Sequence, residues 1–490
     1  MATEIELKLA LPRSAAPRLG RHPLLAPHPA VSHTLENTYY DTPDLALQRR
    51  GVALRLRRRG RVWLLTVKSA EPAVGGLAAR SEWEAAARPG VWDFGHVDDP
   101  RLRQELEGIA PRLTALFTTH FRRRAWTLSY GRSRVEVALD LGTIASGERS
   151  EPLAEVEIEL LAGERDDLFA LARELQTTLP LSPASASKAE RGYRLFLGEP
   201  RQPCKARIPT LSPDLTPVAA FQDIASACLD QLQRNLAGQA PDCDPEFLHQ
   251  ARIALRHLRS ALKVFAPVLP QDFATSWSAA WRPLAAALGE TRDWDVFVGE
   301  ALPPIVAAFP QDRGALYLPA AAGRCAARAS SALRRQLADP DHPRLLLDFT
   351  AALAGLPSAP ADLEAFARAA INRQSSQTRR LARRHAVLDD VERHRLRIRI
   401  KKLRYTLEFF ATLLPRRRLK PYLAALTQLQ DELGLANDHV TALELLHRLP
   451  ARHRSGPVLG WLRGRHALLL TEQAEALETW LAQAKPWKRK

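Results

Sequence analysis

"TEIELKLALP", residues 3–12, sets Glu4, Glu6 and Lys8 at alternate positions with Ile5, Leu7 and Leu9 between them. Alternate side chains of a strand share a face, so the stretch has one ionic wall and one apolar wall. The same period-2 texture recurs in "HTLENTYYDT" (33–42), "GVALRLRRRG" (51–60), "RVWLLTVKSA" (61–70), "RSEWEAA" (80–86), "RSRVEVALDLG" (132–142) and "LAEVEIELL" (153–161). Few helical segments join them, the clearest being "RDDLFALARELQTTL" (165–179). The pattern predicts an antiparallel β domain, with a barrel as its expected form.

The ionic faces are dense. Arg55 and Arg57 share one face; Arg80, Glu82 and Glu84 another; Arg134, Glu136 and Asp140 a third; Glu155, Glu157 and Glu159 a fourth. A single solvated face is ordinary in an antiparallel sheet. Repetition over five strands, with strongly apolar residues between the charges, points instead to a charged lumen inside an apolar outer wall. Like charges in such a lumen must be hydrated, paired or neutralised by ligand. A polyanion with divalent cations meets both needs, because Lys and Arg bind phosphate oxygens while carboxylates bind hard metal ions.

Proline recurs through "GEPRQPCKARIPTLSPDLTP" (198–217), which excludes a helix or central strand and marks a linker. Beyond it the texture is helical, and it repeats. "HQARIALRHLRSALKVF" (249–265) aligns with "HRLRIRIKKLRYTLEFF" (394–410) at a constant offset of 145 residues, which also sets "LGETRD" (288–293) opposite "LGLAND" (433–438). Two helical bundles of similar build are expected. His249, Arg252, Arg256, Arg259 and Lys263 fall on one helical stripe, and His394, Arg397, Lys401 and Arg404 repeat it. A solvated basic face is the commoner reading of one such helix; the lack of acidic i+4 partners in the first stripe, and the recurrence of the stripe in the same register, point to a bound polyanion.

Charge divides in the same way. Of 70 Lys/Arg and 54 Asp/Glu, residues 1–200 hold 28 and 26, so residues 201–490 carry 42 and 28. A mixed-sign first half suits an internal ionic site, and a basic second half suits an extended anion. Nucleic acid is disfavoured, since aromatics are 7% of the chain and the basic stripes are interleaved with aliphatic residues. The N-terminal stretch lacks the apolar core of a signal peptide, and no run of about 18 apolar residues occurs, so no membrane association and a cytoplasmic location are expected. Cys204, Cys228, Cys243 and Cys325 show no CxxC spacing, which predicts reduced thiols rather than a zinc site or disulfides.

"EIELK" resembles the ExExK signature of the CYTH domain family, the triphosphate tunnel metalloenzymes. The resemblance continues in order through "YYDTPDLAL", "ALRLRR", "LLTVK", "RSEWE", "FRRRAW", "VEVALDLG", "EVEIEL" and "SKAERGY". It implies an eight-stranded antiparallel tunnel that binds triphosphate substrates with Mg2+ or Mn2+. On that resemblance Lys8, Arg55, Arg57, Lys68, Arg80, Arg123 and Lys188 would grip phosphate oxygens, and Glu4, Glu6, Asp140, Glu155 and Glu157 would hold the metals. Glu4, Glu6 and Lys8 are the catalytic candidates. Arg123 is preferred among three adjacent arginines because its parity opposes that of Trp126, which is expected on the apolar exterior; Glu82 and Glu136 share the lumen parity as partners for the arginines. The implied reaction is hydrolysis of inorganic triphosphate to pyrophosphate and phosphate. Thiamine triphosphate, nucleoside triphosphates and ATP cyclisation also occur in the family and stay open. Neither GxxxxGK[ST] nor GxGxxG is present to suggest another nucleotide site.

The paired basic helices resemble the CHAD domain, the conserved histidine α-helical domain, which commonly follows CYTH and binds inorganic polyphosphate. The resemblance covers roughly residues 215–490 and implies that the nine stripe residues line a phosphate-binding surface. Asn437 departs from the first copy's Arg292, whereas Asp293 and Asp438 are both kept. Protonated His249 and His394 would bind best, so affinity is expected to weaken as pH rises through about 6.5. The combined expectation is an α+β multidomain protein. An N-terminal eight-stranded antiparallel β tunnel with flanking helices spans 1–200, a proline-rich linker 201–217, and an all-α domain of two repeated helical bundles 218–490. The alternative is a catalytically slow polyphosphate-binding or granule-targeting protein, and association with polyphosphate granules is expected on either reading.

Overall fold

The seven alternating segments all contribute strands, with two more at 114–130 and 182–183, and the computed structural model describes residues 3–69, 75–184, 186–238, 244–483 and 485–487. The strands are β1 (Thr3–Ala10), β2 (Ala30–Asp41), β3 (Val52–Arg59), β4 (Val62–Ser69), β5 (Leu77–Ala86), β6 (Thr114–Tyr130), β7 (Ser133–Ser146), β8 (Arg149–Ala162) and β9 (Ser182–Pro183). Their order is β5-β4-β3-β2-β6-β7-β8-β1-β9, and β1 also pairs with β5. That last pairing, Glu4 opposite Arg80 and Glu6 opposite Ala78, closes an eight-stranded antiparallel ring, with the two-residue β9 added beside β1. The expected tunnel is therefore observed.

The apolar wall faces outward and is covered by helices. Leu7, Leu9, Val135, Val137, Val156 and Ile158 pack against Leu168, Phe169, Leu171 and Leu175 of helix α2 (Arg165–Gln176). On the opposite arc, Leu54, Leu56, Leu65, Val67 and Trp83 cluster with Leu106 of helix α1 (Pro100–Ile109). Each fully buried aliphatic side chain contributes about 1.5–3 kcal/mol, so the outer wall, rather than the lumen, holds the ring together.

Helix α3 (Lys188–Leu197) begins with a capping box: the Ser187 hydroxyl accepts from Glu190 N–H at 3.1 Å, and Ser187 N–H donates to the Glu190 carboxylate at 2.8 Å. The helix lies so close to β6 that a Cβ on Gly192 would come 2.0 Å from the Phe117 ring. Tyr193 donates to the buried Asp41 carboxylate at 2.9 Å, and Asp41 also accepts from the N–H groups of Thr42, Leu47 and Gln48. Asp41 thus pins α3 to the end of β2, and Tyr39, Phe117 and Tyr193 pack together beneath it.

The chain divides into two compact units, 1–202 with 339–355, and 203–338 with 356–490. The division near residue 202 falls inside the proline-rich stretch. The helix Asp341–Ala354 lies within the range read from sequence as the second domain, yet it packs with the first unit. Its Leu347 joins the core over α2, and Arg173 of α2 pairs with Asp348. Thr350 approaches Gly75 so closely that a Cβ there would meet its hydroxyl at 1.7 Å.

The second unit is helical throughout its described elements, which include α4 (Pro217–Leu236), α5 (Pro245–Phe265), α6 (Arg282–Val296), α7 (Asp390–Phe409) and α8 (Arg416–His447). The repeat is visible in the caps. Asp244 and Asp389 N-cap α5 and α7, a short 3-10 turn follows each, and the two "LG" segments lie on α6 and α8. Phe265 at the end of α5 packs on Phe410, which caps the C-terminus of α7, with ring centroids 5.5 Å apart. No helix among the described residues is long and apolar enough to cross a membrane. Cys228 and Cys325 are free thiols, and Cys243 lies outside the described residues.

Candidate functional site

Ion pairs in the ring link strands two places apart as well as neighbours. Lys68 of β4 contacts Glu4 of β1 at 2.8 Å and Glu82 of β5 at 2.7 Å. Arg55 of β3 reaches Glu82 at 3.3 Å, and Arg123 of β6 pairs with Asp140 of β7 and with Glu157 of β8. Adjacent strands are spaced about 4.8 Å apart, so side chains two strands apart converge only on the concave side. These charges therefore project inward, as the alternation predicted.

The acids fall into two groups. Asp140, Glu155 and Glu157 are buried and offer one oxygen each within 4.8 Å of one another. Lys188 of α3 pairs with all three, at 2.8 Å to Asp140 and 2.9 Å to Glu157. Glu4 and Glu6 are not in that trio. Glu4 pairs with Lys68, and Glu6 lies 2.9 Å from Lys8, whose ammonium is 3.6 Å from Glu157. Arg57 donates to the Asn37 side-chain carbonyl at 2.9 Å and lies 3.7 Å from Glu84. The Arg80 side chain lies outside the described part of the structure, although its backbone pairs with Glu4.

Burial and neighbouring charge set the protonation of these groups. Burial would raise Glu157, but Lys188, Arg123 and Lys8 outweigh it and hold the carboxyl well below its usual range. Glu155 is pushed up, burial exceeding the pull of Lys188. Burial opposes the charge on Lys188, yet Asp140, Glu155 and Glu157 raise its pKa above the ordinary value. Arg57 is lowered to about 10 by burial and then by Arg55. Glu159 is raised to about 7 by burial, with Glu4 and Glu136 adding to it. The lumen thus has carboxylates gathered at β7 and β8, and cations held near them with little water to screen them. Three carboxylate oxygens in this geometry suit a hard divalent cation, because such ions take oxygen ligands and supply positive charge that offsets the repulsion within the trio.

Several lumen residues escaped the sequence reading. Asn37 orients Arg57 and itself donates to Thr119 at 2.8 Å, while Thr66 donates to Glu84 at 2.8 Å. Their parity with Tyr39, Arg123 and Lys68 is the signal in the sequence, but a neutral side chain carries no charge pattern of its own. Glu159 shares the parity of Glu157 and sits among Glu4, Glu136 and Glu6.

In the second unit, Arg252 and Arg256 of α5 and Arg397 and Lys401 of α7 form one group, with Asp293 of α6 at 3.5 Å from Arg252. Lys401 is lowered to about 7, by burial and then by Arg397, Arg256 and Arg252. Arg259 and Lys263 fall apart from this group: after burial, Arg259 feels Arg282, and Lys263 feels Lys402, Arg259 and Arg282. Arg404 pairs with Glu408 at 3.4 Å. His394 contacts the Asn437 side chain at 3.2 Å, and burial followed by Arg292 lowers the pKa of His249. Buried nitrogens of His249, Arg256, Arg259, Arg397 and Arg404 have no hydrogen-bond partner. Unsatisfied buried donors are costly, and a bound anion would satisfy them.

Comparison with known proteins matches residues 2–193 to the CYTH domain and residues 223–447 to the CHAD domain. An inorganic triphosphatase of Haemophilus influenzae is 34% identical over 205 residues, which are 40% of this chain and 55% of that protein. The chain thus spans about half the length of this curated relative. The crystal structure of the CHAD domain from the plant Ricinus communis is 30% identical, with a TM-score of 0.50, and the match covers 59% of this chain and 99% of that one. The chain belongs to the proteins that join an N-terminal CYTH domain to a CHAD domain.

Proposed function

We propose that the first unit is a divalent-metal-dependent triphosphatase acting on inorganic triphosphate, and that the second unit binds inorganic polyphosphate. The observation that supports the catalytic reading is the closed lumen in which Lys8, Arg55, Arg57, Lys68, Arg123 and Lys188 interleave with buried carboxylates. An anion-binding protein has no need of Asp140, Glu155 and Glu157 drawn within 4.8 Å. The triphosphatase relative, similar to this chain over 205 residues, supports the same reaction class.

The arginines and lysines bind and orient the phosphate oxygens, and their fixed positions lower the reorganisation needed as charge moves to the leaving group. Asn37 and Glu84 hold Arg57, while Glu82 holds Arg55, so the guanidiniums are aimed before substrate enters. Lys188 offsets the acid trio from α3. Mg2+ or Mn2+ held by Asp140, Glu155 and Glu157 would offset charge on the phosphate oxygens, with Glu6 beside Lys8 and Glu4 beside Lys68 as the further acids.

The second unit supplies clustered cations whose charge a linear phosphate chain would neutralise, and through them the protein would localise on polyphosphate. A substrate panel tests the assignment. Phosphate release from tripolyphosphate, long-chain polyphosphate, ATP and thiamine triphosphate is measured with Mg2+ and with Mn2+. Fastest turnover of tripolyphosphate with either metal is expected; faster turnover of an organic triphosphate would reassign the substrate.

A further inference from the structure

The helices α5 and α7 correspond at an offset of 145 residues, and three of the positions at which they differ belong to one cluster. Tyr405 and Glu408 of α7 stand where α5 has Ser260 and Lys263, and His257 of α5 stands where α7 has Lys402. These departures meet in space. Tyr405 is buried, and two guanidiniums lie over its ring: Arg256 of α5 at 5.5 Å from the centroid and Arg404 of α7 at 5.2 Å. His257 stands edge-on to the same ring at 4.4 Å. Glu408 completes the group, 3.4 Å from Arg404 and 3.8 Å from His257.

Aromatic faces attract cations, and a planar guanidinium can lie against a ring in a way an ammonium cannot. Arg256 and Arg404 would otherwise repel each other where little water screens them. Their shared contact with one phenol ring offsets that repulsion and fixes both side chains, which removes rotamer entropy that a ligand would have to overcome. The Tyr405 hydroxyl has no hydrogen-bond partner, so the ring rather than the hydroxyl acts here. Each arginine keeps a buried Nε without an acceptor.

We propose that Tyr405 is a positioning residue that holds Arg256 and Arg404, one from each repeat, at a fixed spacing for a linear phosphate chain. The inference rests on the polyphosphate-binding reading above. It assigns that surface a rigid pair of arginines, set by an aromatic group found in only one repeat.

Calorimetric titration of the full chain with long-chain inorganic polyphosphate, at one salt concentration, tests it. Tyr405→Leu is expected to weaken binding about tenfold and Tyr405→Phe to restore it. Arg256→Lys and Arg404→Lys keep the charge but lose the planar stack, and each is expected to weaken binding about fivefold. In the Tyr405→Leu background the lysine substitutions should add almost nothing, a coupling that general loss of structure does not produce. If Tyr405→Leu does not fold, the two lysine variants carry the test. Wild-type affinity in both lysine variants, or additive losses in the combined ones, overturns the positioning role alone. Absence of binding by the unaltered chain overturns both this role and the polyphosphate reading.

Discussion

Replacing Lys188 by Met removes one charge from the most crowded part of the lumen while keeping most of the side-chain volume. The Lys188 side chain is 8% exposed and pairs with Asp140, Glu155 and Glu157. Its folded pKa is raised above the ordinary 10.5, so its contribution is complete at neutral pH and is lost only in strong alkali. Removing one partner of a buried ion pair typically costs about 3–5 kcal/mol. Lys8, 3.6 Å from Glu157, and Arg123 still offset part of the trio, which places the loss at the lower end of that range. For a unit of this size, each kcal/mol shifts the melting temperature by about 2–4 °C, so a fall of roughly 10 °C is expected. Differential scanning calorimetry of the full chain in chelator measures it, following the transition that moves on substitution. Added Mg2+ should then stabilise Lys188→Met more than the unaltered chain, because a bound cation replaces the missing charge. A shift below about 2 °C in chelator, or no response of either protein to Mg2+, would refute the view of the trio as a cation site balanced by Lys188.

Lys401, held near pKa 7 by burial and three arginines, is partly neutral without ligand. A bound polyanion favours its charged form, so binding should take up a proton and affinity should fall as pH rises above about 7, by up to tenfold per unit. Titrations in two buffers of different ionisation enthalpy detect the proton, and Lys401→Arg should abolish it. Asn37→Ala removes the acceptor that aims Arg57 at 2.9 Å, and kcat/KM for tripolyphosphate is expected to drop about tenfold. Gly192→Ala drives a Cβ against Phe117, and calorimetry should show about 1–3 kcal/mol of destabilisation together with reduced turnover, because α3 carries Lys188.

Period-2 alternation sorted charged from apolar faces because β-strand geometry leaves little choice. Trp126 facing outward at 1% exposure, with Arg123 inward, follows from parity alone. Ring closure was beyond that reading, since the β1–β5 pairing joins segments some seventy residues apart and no local pattern encodes it. Arg134 shows the limit of parity: a register shift between Arg134 and Val135 leaves it exposed while Asp140 is buried. Alternation does not say which of the five acids lie together: Asp140, Glu155 and Glu157 form a trio without Glu4 and Glu6, because which neighbour each carboxylate meets depends on stagger around the ring. Likewise the helix Asp341–Ala354 has the same texture as its neighbours in the chain. Its packing against α2 rests on the shape of a surface built from residues far away in sequence.

The central claim is that acids and cations in the lumen act together on a short phosphate chain. Phosphate release from tripolyphosphate in Mg2+ or Mn2+, compared between the unaltered chain and Glu4→Ala/Glu6→Ala, tests it most directly. The expected result is metal-dependent release by the former and a loss of about a hundredfold or more in the latter. Equal rates for the two proteins would contradict it.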